Sequence, residues 1–269
     1  MKKIPWVIAH RGASKHAPEN TRPAFDLALS YTIDGLETDV QLTKDGIPVL
    51  YHDPTLLKVM KKRKRVADVT YRQLCKLDFG KWYNPKFGNE PVLTLREMLA
   101  SYNHRTRLML EIKSPKADHS FQKSSELTLK VLQELQKPEI KKYRDKIFIL
   151  SFEPAVLKLA HKTMPELKYV LNLSDKAYDL TGYISIIYKD PSKLHHLFAL
   201  CVSIKNLSKN LTGFAHRYHK KMMTYVCNDS RQVRRAMECN ADVIMTDDPG
   251  WLTKHLNVTR LCKKACAQL

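Results

Sequence analysis

Long apolar runs are missing from this chain of 269 residues. No window approaches the ~18 consecutive apolar residues that a membrane-spanning helix needs. The Met-Lys-Lys start is followed only by the short apolar stretch 4–9, which contains a proline and has no small-residue cleavage site after it. A secretory leader has a longer apolar region, so we interpret this stretch as part of a first strand and expect a cytoplasmic protein.

Paired cysteine motifs are missing as well. None of the six cysteines is in Cys-x-x-Cys spacing, and no histidine pair stands near them at the spacing of a zinc finger. This pattern excludes a disulfide framework and favours reduced thiols. Cys262 and Cys266 lie four residues apart in a predicted C-terminal helix, where we expect them to pack rather than to form a disulfide.

Acidic residues are few relative to basic ones, 27 against 46, which gives a formal net charge of +19. Such a surplus favours contact with phosphates, nucleic acid or an anionic membrane, without deciding among them. No RNA- or DNA-binding motif is present, so a nucleic-acid partner is not expected. Hydrophobic residues make up 43% of the chain and charged residues 27%, which is typical of a globular protein with a substantial core.

Short apolar runs alternate with longer helix-like stretches, and this alternation predicts a parallel sheet covered by helices. The predicted strands are residues 6–10, 35–42, 47–52, 108–113, 147–152, 169–173, 198–204, 222–227 and 243–246. The clearest predicted helices are residues 22–31, 121–135, 155–162, 213–220 and 231–239.

The second and third predicted strands are joined only by Thr43-Lys44-Asp45-Gly46. Parallel neighbours need a crossover of about a dozen residues, whereas a short link with Asp-Gly is typical of a hairpin. Residues 47–52 are therefore predicted to run antiparallel, which leaves eight parallel strands. We predict an α/β fold, a (β/α)8 TIM barrel formed by residues 1–269 as one domain, with a β-hairpin at strand 2 and a small insertion at about 53–93.

Charged residues stand at the ends of several predicted strands, where barrel enzymes place their reactive groups. They are His10, Arg11, Glu37, Asp39, His52, Glu111 and Lys113. Residues two apart share one face of a strand, so Glu37 and Asp39 are expected to point together. Three carboxylates from two strands can bind one hard cation, and an oxygen-only set suits Mg²⁺ or Ca²⁺. The alternative is a set of interior carboxylates that Arg11 and Lys113 neutralise.

Two histidines complete this set. His10 and His52 could act as a general acid and base, because imidazole titrates near neutral pH. With a divalent cation, the three carboxylates and the two basic side chains would carry a formal charge of +1, which a phosphodiester monoanion would neutralise. Arginine binds two phosphate oxygens at once and lysine acts as a point charge. The set therefore favours phosphoryl chemistry.

The order and spacing of these motifs resemble the glycerophosphodiester phosphodiesterase family. The likeness is carried by His10-Arg11-Gly12, Ala17-Pro18-Glu19-Asn20-Thr21, Glu37-x-Asp39, His52-Asp53 and Glu111-x-Lys113. It continues more loosely through Ser151-Phe152, Tyr225-Val226-Cys227-Asn228 and Met245-Thr246-Asp247-Asp248-Pro249. The chain departs from the usual family pattern at residues 88–95 and 224–227, so the preferred alcohol headgroup is not predicted.

The resemblance implies a metal-dependent barrel enzyme that hydrolyses glycerophosphodiesters, its small-molecule substrates, to glycerol 3-phosphate and an alcohol such as choline or ethanolamine. It implies that Glu37, Asp39 and Glu111 are metal ligands and that His10 and His52 form an acid/base pair. It also implies that Arg11 and Lys113 contact the substrate phosphate. Glu19 and Asn20 match a segment near the site and are expected to support it. Asn20 or Thr21 could equally be the cap of the first helix, given the nearby Pro23.

Two other functions remain open at this point. One is a lysophospholipase D-like reaction on lysophospholipids, which would need an apolar rim around the site. The other is non-enzymatic binding of a membrane or a nucleic acid through charge alone. The run Lys61-Lys62-Arg63-Lys64-Arg65 fits either a solvated loop of the insertion or a peripheral contact with an anionic membrane, which would contribute about 1 kcal/mol per basic residue.

Overall fold

Eight parallel strands close into a barrel in the computed structural model, which describes residues 4–113, 121–174 and 177–256. The strands are β1 (Trp6–His10), β2 (Gly35–Leu42), β3 (Pro48–Leu50), β4 (Arg107–Ile112), β5 (Ile147–Ser151), β6 (Lys168–Asn172), β7 (Ala199–Ser203), β8 (Lys221–Tyr225) and β9 (Val243–Thr246). The barrel is closed because β1 pairs in parallel with both β2 and β9. This arrangement confirms the predicted TIM barrel.

The strand outside the barrel is β3, which pairs antiparallel with β2 and places Val40 opposite Leu50. The hairpin turn is closed by a hydrogen bond from Thr43 Oγ1 to Asp45 Oδ1 of 2.7 Å. Gly46 follows with a φ of 76°, a conformation that glycine adopts without steric cost. The predicted hairpin at strand 2 is confirmed.

Helices connect the barrel strands and cover them. They are α1 (Arg22–Leu29), α2 (Leu57–Met60), α3 (Tyr71–Leu74), α4 (Leu95–Tyr102), α5 (Phe121–Gln136), α6 (Pro138–Lys141), α7 (Pro154–Thr163), α8 (Ala177–Lys189), α9 (Lys209–Arg217) and α10 (Ser230–Glu238). The prediction of a helix at 213–220 was placed too late: α9 begins at Lys209, because the Ser208 side chain accepts a hydrogen bond from Leu211 N and caps the first turn.

The inward face of the strands forms the barrel core. Residues such as Ile8, Met109, Phe148 and Val170 fill the interior, while their sequence neighbours pack outward against the helices. Side chains alternate along a strand, so the inward position of Met109 places Glu111 on the same face, two residues nearer the C-terminal end. Charged side chains at the C-terminal end of the barrel therefore lie next to the apolar residues that fill its interior.

The segment between β3 and α4 holds the predicted insertion. It contains α2, α3 and two short 3-10 helices, Val66–Asp68 and Pro85–Phe87. Leu56, Val66 and Leu74 form a small apolar cluster of their own with Val49 of β3, which anchors the segment to the hairpin. The assignment of residues 1–269 to one domain stays a prediction.

Within the described ranges, no helix combines the length and apolarity needed to cross a bilayer. The chain is helical over residues 249–256, and the predicted terminal helix with Cys262 and Cys266 lies outside the described residues. Four described cysteines carry free thiols, and three of them, Cys201, Cys227 and Cys239, are buried.

Candidate active site

A cavity of about 180 Å³ lies at the C-terminal end of the barrel strands. Its polar lining consists of His10, Arg11, Glu37, His52, Glu111, Lys113 and Asn172, and its apolar lining includes Leu150, Phe152, Cys201, Tyr225 and Met245. Six of the seven charged residues predicted from the strand ends therefore meet in one cavity. The seventh, Asp39, is not among the lining residues but contacts both basic residues of the site.

Three carboxylates converge on a single point. Glu37, Asp39 and Glu111 each offer an oxygen that lies within 4.8 Å of the others, and all three residues are buried. Parallel pairing sets this proximity, because Asp39 of β2 lies opposite Glu111 of β4. Burial, with the charges of Asp39 and Glu111 added to it, raises the pKa of Glu37 well above its ordinary value. Such a cluster of hard oxygen donors fits a divalent cation.

Two basic side chains partly neutralise the cluster. Lys113 Nζ lies 2.8 Å from Glu111 Oε1 and 3.1 Å from Asp39 Oδ1. Arg11 Nε lies 3.1 Å from Asp39 Oδ2, although its N–H has no hydrogen-bond acceptor in the described structure, so this contact is an ion pair only. Burial disfavours the ionised form of Asp39, but Lys113 and Arg11 outweigh it and lower its pKa. The charges of Arg11 and Lys113 also act to lower the pKa of Glu37, but there burial and the two neighbouring carboxylates outweigh them.

The backbone at Arg11 also serves the cluster. Arg11 has a φ of 57°, in the left-handed region that non-glycine residues rarely adopt. This conformation directs its backbone N–H to Glu37 Oε2 at 3.1 Å, and its Nη1 donates to Glu19 Oε2 at 3.0 Å. Glu19 thus contacts Arg11 rather than the carboxylate cluster.

His10 is oriented by an aspartate from the other end of the chain. Its Nδ1 donates to Asp247 Oδ1 at 2.8 Å, and its Nε2 lies 3.9 Å from Glu37 Oε2. Burial opposes ionisation of Asp247, but hydrogen bonds from His10, Asn228 and Ser14 outweigh it and lower its pKa to about 2. An ionised carboxylate on Nδ1 fixes the tautomer and leaves Nε2 for proton transfer.

His52 has the same kind of partner in its sequence neighbour. Its Nδ1 donates to Asp53 Oδ1 at 2.9 Å, and this bond, helped by Lys58, lowers the pKa of Asp53 to about 2. Lys58 Nζ lies 3.0 Å from Asp53 Oδ2 and 2.8 Å from Glu19 Oε1. Glu19, His52 and Asp53 also lie close enough together to suggest a metal site, but the ammonium of Lys58 already occupies the space between the two carboxylates.

Two asparagines hold the carboxylates in place. Asn20 Nδ2 donates to Asp39 Oδ2 at 3.0 Å, and Asn20 Oδ1 accepts from Thr38 Oγ1 at 2.7 Å. Asn20 is therefore no helix cap; Thr21 occupies that position in α1, and its side chain makes no capping hydrogen bond. Asn172 Nδ2 donates to Glu111 Oε2 at 3.0 Å, while its buried Oδ1 has no partner in the described structure.

Asp247, Asn172 and Lys58 did not emerge from sequence reasoning as site residues. Asp247 follows β9 and Asn172 ends β6, so both stand at C-terminal strand ends, the signal that identified the other site residues. Lys58 follows no strand and lies three residues before the basic run 61–65, so nothing in the sequence distinguished it from the other lysines of the insertion.

The apolar side of the cavity holds an aromatic corner. Phe152 and Tyr225 contact edge to face with ring centres 6.5 Å apart, and Phe152 remains 39% exposed. Tyr225 is one of the residues at which the chain departs from the pattern that it resembles. The two rings therefore give the cavity an aromatic wall.

Comparisons with known proteins identify the family that this chain resembles over most of its length. A model of the glycerophosphoryl diester phosphodiesterase family matches residues 10–251. The chain is 30% identical over 244 residues to a glycerophosphodiester phosphodiesterase of Caldanaerobacter subterraneus, covering 90% of this chain and 94% of the relative. A glycerophosphodiester phosphodiesterase of Bacillus altitudinis is 28% identical over 245 residues, with 90% and 94% covered.

A solved structure supports the fold. A phosphodiesterase of Oleispira antarctica, determined in complex with the product sn-glycerol-3-phosphate, superposes with a TM-score of 0.77 and 23% sequence identity. The match covers 94% of this chain and 97% of that one, so the barrel and its connections are shared over nearly the whole length.

Proposed function

The chain belongs to the glycerophosphoryl diester phosphodiesterase family, and we propose that it hydrolyses glycerophosphodiesters to glycerol 3-phosphate and an alcohol in a reaction that requires a divalent cation. The observation that carries this proposal is the convergence of three buried carboxylates and two carboxylate-oriented histidines on one cavity. Neither a structural ion-pair network nor a non-enzymatic anion-binding surface needs that combination.

The residues present fit a cation. Glu37, Asp39 and Glu111 bring three buried acids together against the two basic side chains Arg11 and Lys113, so the set carries surplus negative charge in the barrel interior. Buried charge is costly unless it is compensated, and the raised pKa of Glu37 is a sign of that cost. When bound to these oxygens, Mg²⁺ or Ca²⁺ would polarise the phosphate and withdraw negative charge from it.

Arg11 and Lys113 are proposed to bind the substrate phosphate. Both line the cavity beside the carboxylates, and both are held protonated, since the neighbouring carboxylates outweigh burial and raise the pKa of each. Arginine presents a planar fork to two phosphate oxygens, whereas lysine supplies a point charge. Together with the cation, they would match the single charge of a phosphodiester.

His10 and His52 are proposed to move the protons. One imidazole removes a proton from the nucleophile, and the other protonates the departing alcohol oxygen. Attack by water gives glycerol 3-phosphate directly, whereas attack by the neighbouring glycerol hydroxyl gives a cyclic phosphate that a water molecule then opens to glycerol 3-phosphate. Asp247 and Asp53 would stabilise the protonated form of His10 and His52, which is present before transfer in the acid and after transfer in the base, and would keep each ring oriented. Each transfer contributes roughly 10²–10⁴-fold to the rate.

The test is a hydrolysis panel with variants. Glycerophosphocholine, glycerophosphoethanolamine and lysophosphatidylcholine are incubated with wild-type protein, His10→Ala and His52→Ala, each with Mg²⁺, Ca²⁺ or a chelator. We expect glycerol 3-phosphate from the first two substrates, loss of activity with chelator, and a roughly 10²–10⁴-fold lower kcat in each variant with an unchanged circular dichroism spectrum. Near-normal turnover in both variants would contradict the mechanism.

A lysophospholipid substrate is a second candidate, because the exposed Phe152 gives the cavity an apolar edge. Two results would together favour this substrate. The protein would release choline from lysophosphatidylcholine in the same panel, and Phe152→Ser would lower the rate of that reaction more than the rate of glycerophosphocholine hydrolysis. Equal effects on both would favour the water-soluble glycerophosphodiester. The cytoplasmic location stays a prediction.

A further inference from the structure

The inserted segment carries a strongly basic turn beside the cavity. We use "basic turn" for its four exposed residues, Lys61, Lys62, Arg63 and Lys64. The turn starts at Lys61, which follows α2 and has a φ of 59°. A hydrogen bond of 2.7 Å from Leu56 N to Lys64 O closes the turn. Arg65, the next basic residue, is engaged differently, because it is paired with Asp68 at 2.8 Å.

The charge of the basic turn is not compensated locally. Across residues 4–113, 121–174 and 177–256, none of its four side chains forms an ion pair, and Lys61 Nζ contacts only the Lys58 carbonyl at 3.4 Å. Like charges held in one ordered turn repel each other, so an anionic surface that spans the turn would stabilise it.

Apolar side chains accompany this charge. Leu57, which precedes the basic turn, is 44% exposed and lines an open groove that runs from Asp53, the partner of His52, to Lys61. Phe152 is exposed at the same end of the barrel, at the edge of the cavity. Segments that lie at a membrane interface combine these features, because the apolar side chain enters the headgroup region while the cations contact lipid phosphates.

We propose that this end of the barrel docks on the anionic surface of a lipid bilayer, with the basic turn on the phosphate headgroups and Leu57 at the interface. The cavity would then open toward the membrane. A lipid surface fits better than a single-stranded nucleic acid, which is bound largely by stacking bases on aromatic rings along a basic groove. The exposed apolar side chain next to the basic turn is the aliphatic Leu57, and the exposed ring of Phe152 lines the cavity rather than the turn. The docking does not depend on hydrolysis.

The first test compares two charge-reversal variants by vesicle co-sedimentation. The first variant is K61E/K62E/R63E/K64E in the basic turn. The control is K141E/K142E/K158E/K162E, at exposed lysines at the end of α6 and on α7, and it has the same net charge. Each basic residue near an anionic leaflet contributes about fivefold to partitioning. On vesicles of phosphatidylglycerol and phosphatidylcholine, we therefore expect the basic-turn variant to bind more than about 100-fold more weakly than wild type and the control variant to bind almost as well as wild type.

Three outcomes would overturn the proposal. The first is an equal loss of binding in the two variants, which would assign binding to net charge alone. The second is wild-type binding to pure phosphatidylcholine vesicles that equals its binding to anionic vesicles. The third is binding of a single-stranded oligonucleotide that depends on the basic turn, without any binding to vesicles. Wild-type binding to the anionic vesicles should also weaken as salt is raised, since surface charges are screened over about 10 Å at 0.1 M.

The second test addresses the apolar contact. Leu57→Ser should weaken vesicle binding about 3- to 10-fold, while Leu129→Ser, at a leucine of 43% exposure on α5, should not. Equal effects would overturn the proposed orientation. Hydrolysis of dissolved glycerophosphocholine should be unchanged in the basic-turn variant, whereas His52→Ala should lose that hydrolysis and keep vesicle binding, so the docking and the catalytic proposal can fail separately.

Discussion

Lys58 joins the inserted segment to the catalytic residues through three contacts. Its ammonium bridges Glu19 and Asp53, and it also lies 4.3 Å from the centre of the Trp82 ring. Glu19 in turn contacts Arg11, and Asp53 contacts His52. One cation is therefore linked to Arg11, the proposed phosphate contact, on one side and to His52, a proposed proton-transfer group, on the other.

Removing this cation should slow the reaction without unfolding the protein. Lys58→Met keeps an unbranched apolar stem against Trp82 but leaves Glu19 and Asp53 facing each other. A lost hydrogen bond to a charged group is worth about 1.5–3 kcal/mol, so we expect kcat to fall at least about tenfold while Lys58→Arg retains most activity. Steady-state kinetics on glycerophosphocholine measure this effect.

The matched control is Lys86→Met, since Lys86 also lies over an aromatic ring, that of Phe87, but away from the site. It should leave kcat unchanged. If Lys58→Met has wild-type kinetics, or if Lys58→Arg is as slow as Lys58→Met, the ion pairs of Lys58 with Glu19 and Asp53 do not position the proposed catalytic groups.

At the scale of single elements, the turn after β1 depends on one glycine. Gly12 has a φ of 84°, and a Cβ added there would lie 2.6 Å from the backbone carbon of Ala24 in α1. The absence of a side chain lets α1 approach the end of β1 closely. That approach places Asn20, in the loop just before α1, against Asp39.

Gly12→Ala should therefore destabilise the protein by about 2–4 kcal/mol, because it combines backbone strain with overpacking. Gly213→Ala is the matched control: Gly213 lies in α9 with no atom within 4 Å of an added Cβ, and alanine there should stabilise the protein by about 1 kcal/mol. Urea unfolding measures both values. Equal midpoints for Gly12→Ala and wild type would contradict the role given to this turn.

A cluster of histidines lies where α7 ends and β7 begins. The rings of His161, His195 and His196 have centres 5.1–6.1 Å apart. Burial, together with the charges of His195, His161 and two lysines, lowers the pKa of His196 to about 4. In the unfolded chain this imidazole titrates near pH 6.5, so between the two values the unfolded state binds more protons than the folded state.

Stability should accordingly fall as the pH drops from about 6.5 to about 4. His196→Phe keeps a ring in the cluster and removes this titration, so its melting temperature should fall less on acidification than that of wild type. His104→Phe, at an exposed histidine that also contacts a ring, should behave like wild type. Parallel acid-induced losses in wild type and His196→Phe, measured by differential scanning calorimetry, would exclude the contribution of His196.

At the scale of the whole molecule, the strand order of the barrel forces like charges together. Parallel pairing of β2 with β4 brings Glu37, Asp39 and Glu111 into one buried cluster. The barrel core gains nothing from three acids at this position. A ligand that binds only the folded state shifts the unfolding equilibrium in its favour, so a cation bound here should stabilise the entire barrel.

Mg²⁺ or Ca²⁺ should raise the melting temperature in a concentration-dependent way, by about 5–10 °C at 100 times Kd, from about 2.7 kcal/mol of linkage. Glu37→Gln should melt higher than wild type in chelator, because it removes one buried repulsive charge, and should respond less to the cation. Glu139→Gln, at an exposed glutamate of α6, is the control. A melting temperature that ignores the cation in wild type would argue against a metal at the three carboxylates.

The sequence by itself determined the strands and the inward face of the acids. Residues 6–10, 35–42 and 243–246 are strands with the predicted bounds, because β-branched runs between turn residues are a local signal. The two-residue period of a strand put Glu37 and Asp39 on one face, and the four-residue link at 43–46 predicted the hairpin. These features depend on neighbours in the chain, which a sequence displays directly.

Only the tertiary structure decided which groups orient the reactive ones. His10 and Asp247 are 237 residues apart and meet because β1 pairs with β9. Asn172 meets Glu111 across 61 residues and across the intervening strand β5. Lys58 was indistinguishable from the other lysines near it until the insertion folded back over Glu19 and Asp53. Hydrogen bonds of this kind depend on distances between elements, and local periodicity carries no information about those distances.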